Sequence, residues 1–164
     1  MSRRDRPLRR PGLLLRWFFR APVVLYRIGL GGLMPMQLLL TTVGRKSGQP
    51  RRAVVDVLGH DAATDTYYVT SVYGAHADWY RNLQANPAVR VQVRWRRFRA
   101  QATSLPREEA EEVLLDFWRR HRLYSRIMFR LVGLKLTTEE EVRTVGEQMR
   151  VVAIQPEGAK RGST

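Results

Sequence analysis

"LLLTTVGRKSGQPRR", residues 38–52, begins as apolar and β-branched chain and ends in positive charge. Leu38, Leu39 and Leu40 with Thr41, Thr42 and Val43 carry the strand signal, and Gly44 and Gly48 bracket Arg45, Lys46 and Ser47 in a turn. Chain direction then reverses past Arg51 into a second strand that opens on Arg52. A strand, a cationic bend and a returning strand make a hairpin, expected at 37–43 and 52–58. The bend is suited to an anion: glycines bring backbone amides close, Ser47 donates, and Arg45, Lys46 and Arg51 supply charge. It is no Walker A loop, because no Gly-Lys-Ser/Thr triplet ends it and no helix follows. A solvated basic hairpin tip is the plainer reading of the same residues.

The same strand signal recurs along the chain. Further strands are expected at 66–72, 88–94 and 98–103, and "MRVVAIQP" (149–156) is a sixth. "VRVQVRW" from Val89 alternates, which leaves Arg90, Gln92 and Arg94 on a face that is wet or binds something. The turn at Trp95, Arg96 and Arg97 lacks the Gly, Asn or Asp that tight hairpins favour. "PREEAEEVLLDFWRRH" (106–121) reads as a helix with glutamates early and arginines late, matching the helix dipole. Ala110, Val113, Leu114, Phe117 and His121 share one face of it. A second amphipathic helix is expected from Tyr124 to Val132, and Thr138 with Glu141 forms a capping box for a short third. Strands that cluster and return, with no alternating βαβ pattern, indicate an α+β domain or a small barrel of about six mainly antiparallel strands.

With 44% hydrophobic and 27% charged residues, the 164-residue chain is globular and long enough for one cored domain. It has no cysteine, which excludes disulfides, thiolate metal sites and cysteine nucleophiles and is consistent with a reducing cytoplasm. The net charge of +14 is uneven: residues 1–52 hold 12 of the 29 basic side chains and only Asp5 of the 15 acidic ones. That asymmetry suits an anchoring or docking end better than a nucleic-acid footprint. Residues 1–12 read as a basic, flexible arm, 13–34 as an amphipathic helical segment, 35–156 as the barrel domain and 157–164 as a flexible tail. Within 13–34, Arg16, Arg20 and Arg27 would each cost roughly 2.5–3.5 kcal/mol at a bilayer centre, which argues against a span. They fall within an arc of roughly 40° on one helix face, the layout of a helix lying on anionic lipid. A helix packed on its own domain with its arginines in water is the alternative.

Acid–base and metal machinery is sparse. His60, His76 and His121 show no ligand spacing, so no metal site is expected; His76 with Asp78 is a faint pair. No GxSxG is present. An enzyme with this sequence would bring its reactive group as a cofactor. "VTSVYGAHADWYRNLQANP" places Trp79 and Tyr80 after a strand end, where they could border a planar ring or serve as core.

Taken together, "LLLTTVGRKSGQPRR", "YYVTSVYG", "DWYRNLQANPAVRVQV" and "MRVVAIQP" resemble the deazaflavin-dependent nitroreductase and quinone reductase family, whose fold is the split β-barrel of FMN-binding flavin reductases. The resemblance covers residues 37–103 and the last strand. It implies coenzyme F-420, with FMN the less favoured cofactor, and hydride transfer to a quinone, nitro compound or similar small-molecule acceptor. It implies that Arg45, Lys46, Ser47 and Arg51 hold the phosphate end while Gln49 and Pro50 shape the loop. Ser71, Val72 and Trp79 would border the ring, and Asn82, Asn86 and Pro87 would be scaffold. Two departures stand out: Ser71-Val72-Tyr73-Gly74 lacks the lysine of similar sequences, and "RLYSRIMFRLVGLKLTTEEEVRTVGEQ" replaces the family's tyrosine-bearing segment. Tyr124 is then the candidate proton donor on the acceptor side, counted with Ser71 as catalytic. A noncatalytic paralogue holding a lipid or hydrophobic anion is the competing reading. Peripheral attachment to the inner face of the cell membrane through residues 1–34, a homodimer, and no nucleic-acid partner complete the expectations.

Overall fold

The structure, a computed structural model, describes residue 26 and residues 36–71, 74–131 and 137–158. The expected basic arm, the 13–34 segment apart from Tyr26, Val72 and the end of the tail lie outside the described residues. Six strands form a closed barrel: β1 (Gln37–Val43), β2 (Pro50–Asp61), β3 (Thr66–Ser71), β4 (Ala88–Val93), β5 (Arg96–Ser104) and β6 (Arg150–Pro156). Neighbours run β1-β2-β3-β6-β5-β4 and back to β1, every pair antiparallel. Closure removes free sheet edges, and the period-2 alternation sends one set of side chains inward. Leu38, Leu40, Val69, Val152 and Ile154 are wholly or almost wholly buried there.

Among the described residues four α-helices with defined bounds accompany the barrel: α1 (Asp78–Ala85), α2 (Arg107–Arg120), α3 (Arg122–Leu131) and α4 (Glu139–Gly146). Tyr80 and Leu83 of α1 join the interior cluster of the barrel. Ala110, Leu114 and Phe117 of α2 pack on Leu58 and Val151, which face outward from β2 and β6. The sequence shows that face, but not the second one, where Leu115 and Trp118 bury Val142 of α4. The capping box is present: the Glu141 amide donates to Thr138 Oγ1 at 3.3 Å, and the Thr138 amide donates to Glu141 Oε2 at 3.1 Å.

Two strands differ from expectation for local reasons. β2 continues to Asp61 because a bulge between Val57 and Gly59 resets its pairing with β3, which hides the alternation in the sequence. β5 begins at Arg96 because the β4–β5 turn is only Arg94 and Trp95, with Arg94 itself at φ 51°. The turn is made without the residues that favour it.

Near the β2–β3 turn, Asp65 accepts two bonds from Arg96, at 2.9 and 2.5 Å, and one contact of 2.9 Å from His60. His60 stacks on Tyr67 at 4.1 Å, and the Arg96 guanidinium lies 4.7 Å above Phe98. The Arg96 bonds, with His60 assisting, hold the Asp65 carboxyl down at about 2. A lowered carboxylate pKa adds stability above the unfolded value, and that stability is lost as pH falls through the folded one. Acid titration of unfolding should therefore show a loss between about pH 4 and pH 2 that Asp65→Asn removes.

Ser71 ends β3, and its buried hydroxyl donates to the Gly74 carbonyl at 2.8 Å. Gly74 sits at φ 56°, and a Cβ there would lie 2.2 Å from the Gln148 carbonyl oxygen. Gly74→Ala combines the left-handed penalty with a backbone clash and should cost about 3 kcal/mol in chemical denaturation.

Candidate functional site

The β1–β2 hairpin is fastened to α1 by one buried asparagine. Asn82 is 3% exposed; its Nδ2 donates to Thr42 Oγ1 at 3.2 Å, and its Oδ1 accepts from the Arg45 amide at 3.2 Å and from Arg45 Nη1 at 3.0 Å. Arg45 Nη2 pairs with Asp78 Oδ1 at 3.0 Å. The guanidinium expected to face a phosphate is thus committed to the protein, clamping the bend onto the first two turns of α1. Asn86 and Pro87 finish that scaffold: the Ala88 amide donates to Asn86 Oδ1 at 3.0 Å, and the Ala102 amide donates to the Pro87 carbonyl at 2.9 Å.

The bend also uses most of its own amides. Gly44 donates to the Gln49 carbonyl at 2.8 Å, Ser47 and Gly48 donate to the Gly44 carbonyl at 3.2 and 2.7 Å, and Gln49 donates to Ser47 Oγ at 3.3 Å. Gly44 lies in a close-packed spot, since a Cβ there would lie 2.7 Å from Ser47 Oγ and 3.1 Å from the Gln49 carbonyl oxygen. The glycines therefore shape the turn and do not open a cradle of amides. What remains for an anion is a set of side chains: Lys46, Ser47 and Arg51 are exposed, and Arg51 Nη2 lies 3.4 Å from Ser47 Oγ. Neither Lys46 nor Arg51 forms an ion pair among the described residues. An ammonium, a guanidinium and a hydroxyl on one rigid turn fit a phosphate. Gln49 and Pro50 are exposed at the same turn, Pro50 opposite Val43 in the ladder.

Trp79, the second residue of α1, is half-buried against the barrel core and meets Tyr80 edge-on at 6.1 Å. It stands next in sequence to Asp78, the partner of Arg45, on the helix that holds the cationic bend. His76 does not pair with Asp78; its Nδ1 lies 3.3 Å from Arg81 Nη2.

The two candidate catalytic residues are not brought together. Ser71 belongs to the inward-facing set of β3 and spends its hydroxyl on Gly74. Tyr124 stands outside the barrel, its phenol donating to Asp56 Oδ1 at 3.3 Å. Asp56 also accepts from Gln37 Nε2 at 3.1 Å, and Tyr26 donates to the Gln37 carbonyl at 2.7 Å. Burial raises the Asp56 carboxyl against the pull of those two donors. Burial, then the Asp56 carboxylate, pushes the Tyr124 phenol well up, while burial alone takes Tyr26 to about 12. Tyr124 is thus a weak acid where it stands. Asp56 is five residues from Arg51 along β2, roughly 17 Å of extended chain.

Pairing register reveals a group that sequence spacing does not assemble. Thr41 lies opposite Arg52 on one side and Arg90 on the other, and Arg90 lies opposite Arg99. Three exposed arginines therefore occupy one rung across β2, β1, β4 and β5 on the outer face. Arg90 opposite Arg99 is a like-charge cross-strand pair, which costs stability. The alternation of β4 exposes Arg90, but only the ladder shows its neighbours.

A family model described as F420H(2)-dependent quinone reductase matches residues 19–126. Among solved structures, an F420-H2 dependent reductase, FDR-A, matches at 22% identity and TM-score 0.50, covering 73% of this chain and 94% of that one. A pyridoxamine 5′-phosphate oxidase-related, FMN binding protein from Nostoc punctiforme matches at 12% identity and TM-score 0.56, covering 84% and 80%. HutZ, the heme storage protein from Vibrio cholerae, matches at 20% identity and TM-score 0.51, covering 82% and 90%. These structural likenesses establish the split-barrel fold.

Proposed function

The chain belongs to the F420H(2)-dependent quinone reductase family, and on that premise we propose that it is an oxidoreductase using reduced coenzyme F420 to reduce a quinone, nitro compound or similar electron-poor acceptor. The observation that carries this reading is the exposed Lys46, Ser47 and Arg51 set on a bend locked to α1, the helix that carries Trp79. Those three side chains would hold the phosphate end. Arg45 positions them through Asp78 and Asn82, and Trp79 would flank the ring. The arginines at 52, 90 and 99 would offer further positive charge to the acidic tail of the coenzyme. When bound, the deazaflavin supplies a hydride. The protein's part is then to orient the ring and exclude water, which needs no catalytic dyad and agrees with the engagement of Ser71 and Tyr124 elsewhere. Val72, outside the described residues, remains a proposed ring contact through its backbone, and a homodimer remains a proposal.

The test is a titration of the protein with F420 in both redox states, followed by a panel of quinone and nitro acceptors. Binding with acceptor-dependent oxidation is expected; absence of binding in both states overturns the reading. The competing noncatalytic role as a holder of hydrophobic ligand is supported by the lysine missing from Ser71-Val72-Tyr73-Gly74 and by the segment that replaces the family's tyrosine-bearing one. Fatty acid without deazaflavin in the purified protein would select it. A yellow protein that releases FMN would select the flavin cofactor.

A further inference from the structure

Helix α3 presents to solvent a surface that the redox reading does not use. Among the described residues four large apolar side chains are exposed, and two of them, Leu123 at 71% and Ile127 at 52%, lie one turn apart on this helix. Arg122, Arg126 and Arg130 follow one another at the same four-residue interval and are all exposed. At about 100° per residue the arginines span roughly 80° of the helix and the two apolar side chains continue that arc by roughly 60°. Ser125, 1% exposed, marks the opposite, inward side. The helix contains no acidic residue. Its three arginines form no ion pair among the described residues, and Glu139, whose carboxylate feels Arg122, is held by Arg119 through two bonds of 2.8 Å.

We propose that the exposed face of α3 docks on an anionic lipid surface, with Leu123 and Ile127 entering the acyl boundary and Arg126 and Arg130 reaching phosphate headgroups. The charge complementarity is direct: a cationic stripe beside a narrow apolar one is the pattern of a helix lying in a membrane interface. Long arginine stems lie along the apolar zone while their heads stay in the polar layer. A second copy of the chain is a poor occupant, because a two-fold contact would set three arginines against three. No helix of the described residues is long and apolar enough to cross a membrane, so this contact would be peripheral. It is separate from the expected contact of residues 1–34 and independent of the cofactor.

The absence of native cysteine allows a single label. Full-length protein carrying Ile127→Cys, labelled with a polarity-sensitive fluorophore, should shift to the blue when mixed with phosphatidylcholine vesicles containing about 30 mol% phosphatidylglycerol. Ala63→Cys, in the exposed β2–β3 turn, should not shift. In sedimentation with the same vesicles, Leu123→Ser with Ile127→Ser, and separately Arg126→Gln with Arg130→Gln, should each lower partition about tenfold. Co-sedimentation with no shift at Ile127 would assign binding to another segment and overturn the proposal, as would failure to sediment at all. A shift that grows with protein concentration without vesicles would overturn it in favour of self-association.

Discussion

A chain carrying both Lys46→Glu and Arg51→Glu will bind reduced F420 at least about 100-fold more weakly than the unaltered chain, with its melting temperature nearly unchanged. Both side chains are exposed, and neither is in an ion pair among the described residues, so the fold loses nothing of substance when they change. A hydrogen bond to a charged group contributes about 1.5–3 kcal/mol, and each 1.4 kcal/mol is tenfold in affinity. Two such contacts set the expected loss at about two to four orders of magnitude, and repulsion from glutamate adds to it. Fluorescence titration of the coenzyme with parallel thermal melts measures both quantities. Arg45→Ala should behave differently: its guanidinium is bonded to Asp78 and Asn82, so it should lower the melting temperature together with affinity. Affinity retained by the double variant would remove the bend from the site and direct attention to the rung of Arg52, Arg90 and Arg99.

What could be read from the chain, and what could not, divides along a physical line. Period-2 alternation and turn residues placed all six strands within a few positions, because burial on one face writes itself into every second residue of a strand. The bulge at Val57 and Gly59 and the glycine-free turn at Arg94 and Trp95 broke that regularity, and the boundaries moved there. Residue type marked the cationic bend, but not which charge faces outward. Asp78 and Asn82 lie more than thirty positions from Arg45, and only the packing of α1 on the hairpin turns that arginine into a clamp. Ser71 and Tyr124 were plausible by chemistry and position. Their partners, the Gly74 carbonyl and the Asp56 carboxylate, follow from tertiary contact that no local pattern announces. The arginine rung is a matter of register, which spacing within single strands leaves open.

Asn82→Leu is expected to destabilise the protein by about 4 kcal/mol and to release the bend from α1. The replacement is close in volume, so the loss comes from hydrogen bonding and not from a cavity. Leucine leaves the Arg45 amide without its 3.2 Å acceptor, removes the 3.0 Å bond to the Arg45 guanidinium, and takes the 3.2 Å donor from the buried Thr42 hydroxyl. An unpaired buried polar group costs about 1–3 kcal/mol, more where charge is involved. Thr42 still donates to the Arg51 carbonyl at 3.4 Å, which moderates the effect on β1. Pairing of Arg45 with the exposed Asp78 contributes little by itself once Asn82 no longer orients the guanidinium. Asn82→Asp is the informative partner variant. It keeps the acceptor toward Arg45 but loses the donor to Thr42, so it should recover part of the stability and most of the coenzyme affinity that leucine removes. Urea unfolding measures the first, and titration of reduced F420 with the folded variants measures the second. Equal affinity in the leucine variant and the unaltered chain would show that the bend keeps its shape without α1, and Arg45 would then be a stabilising residue with no part in positioning Lys46 and Arg51.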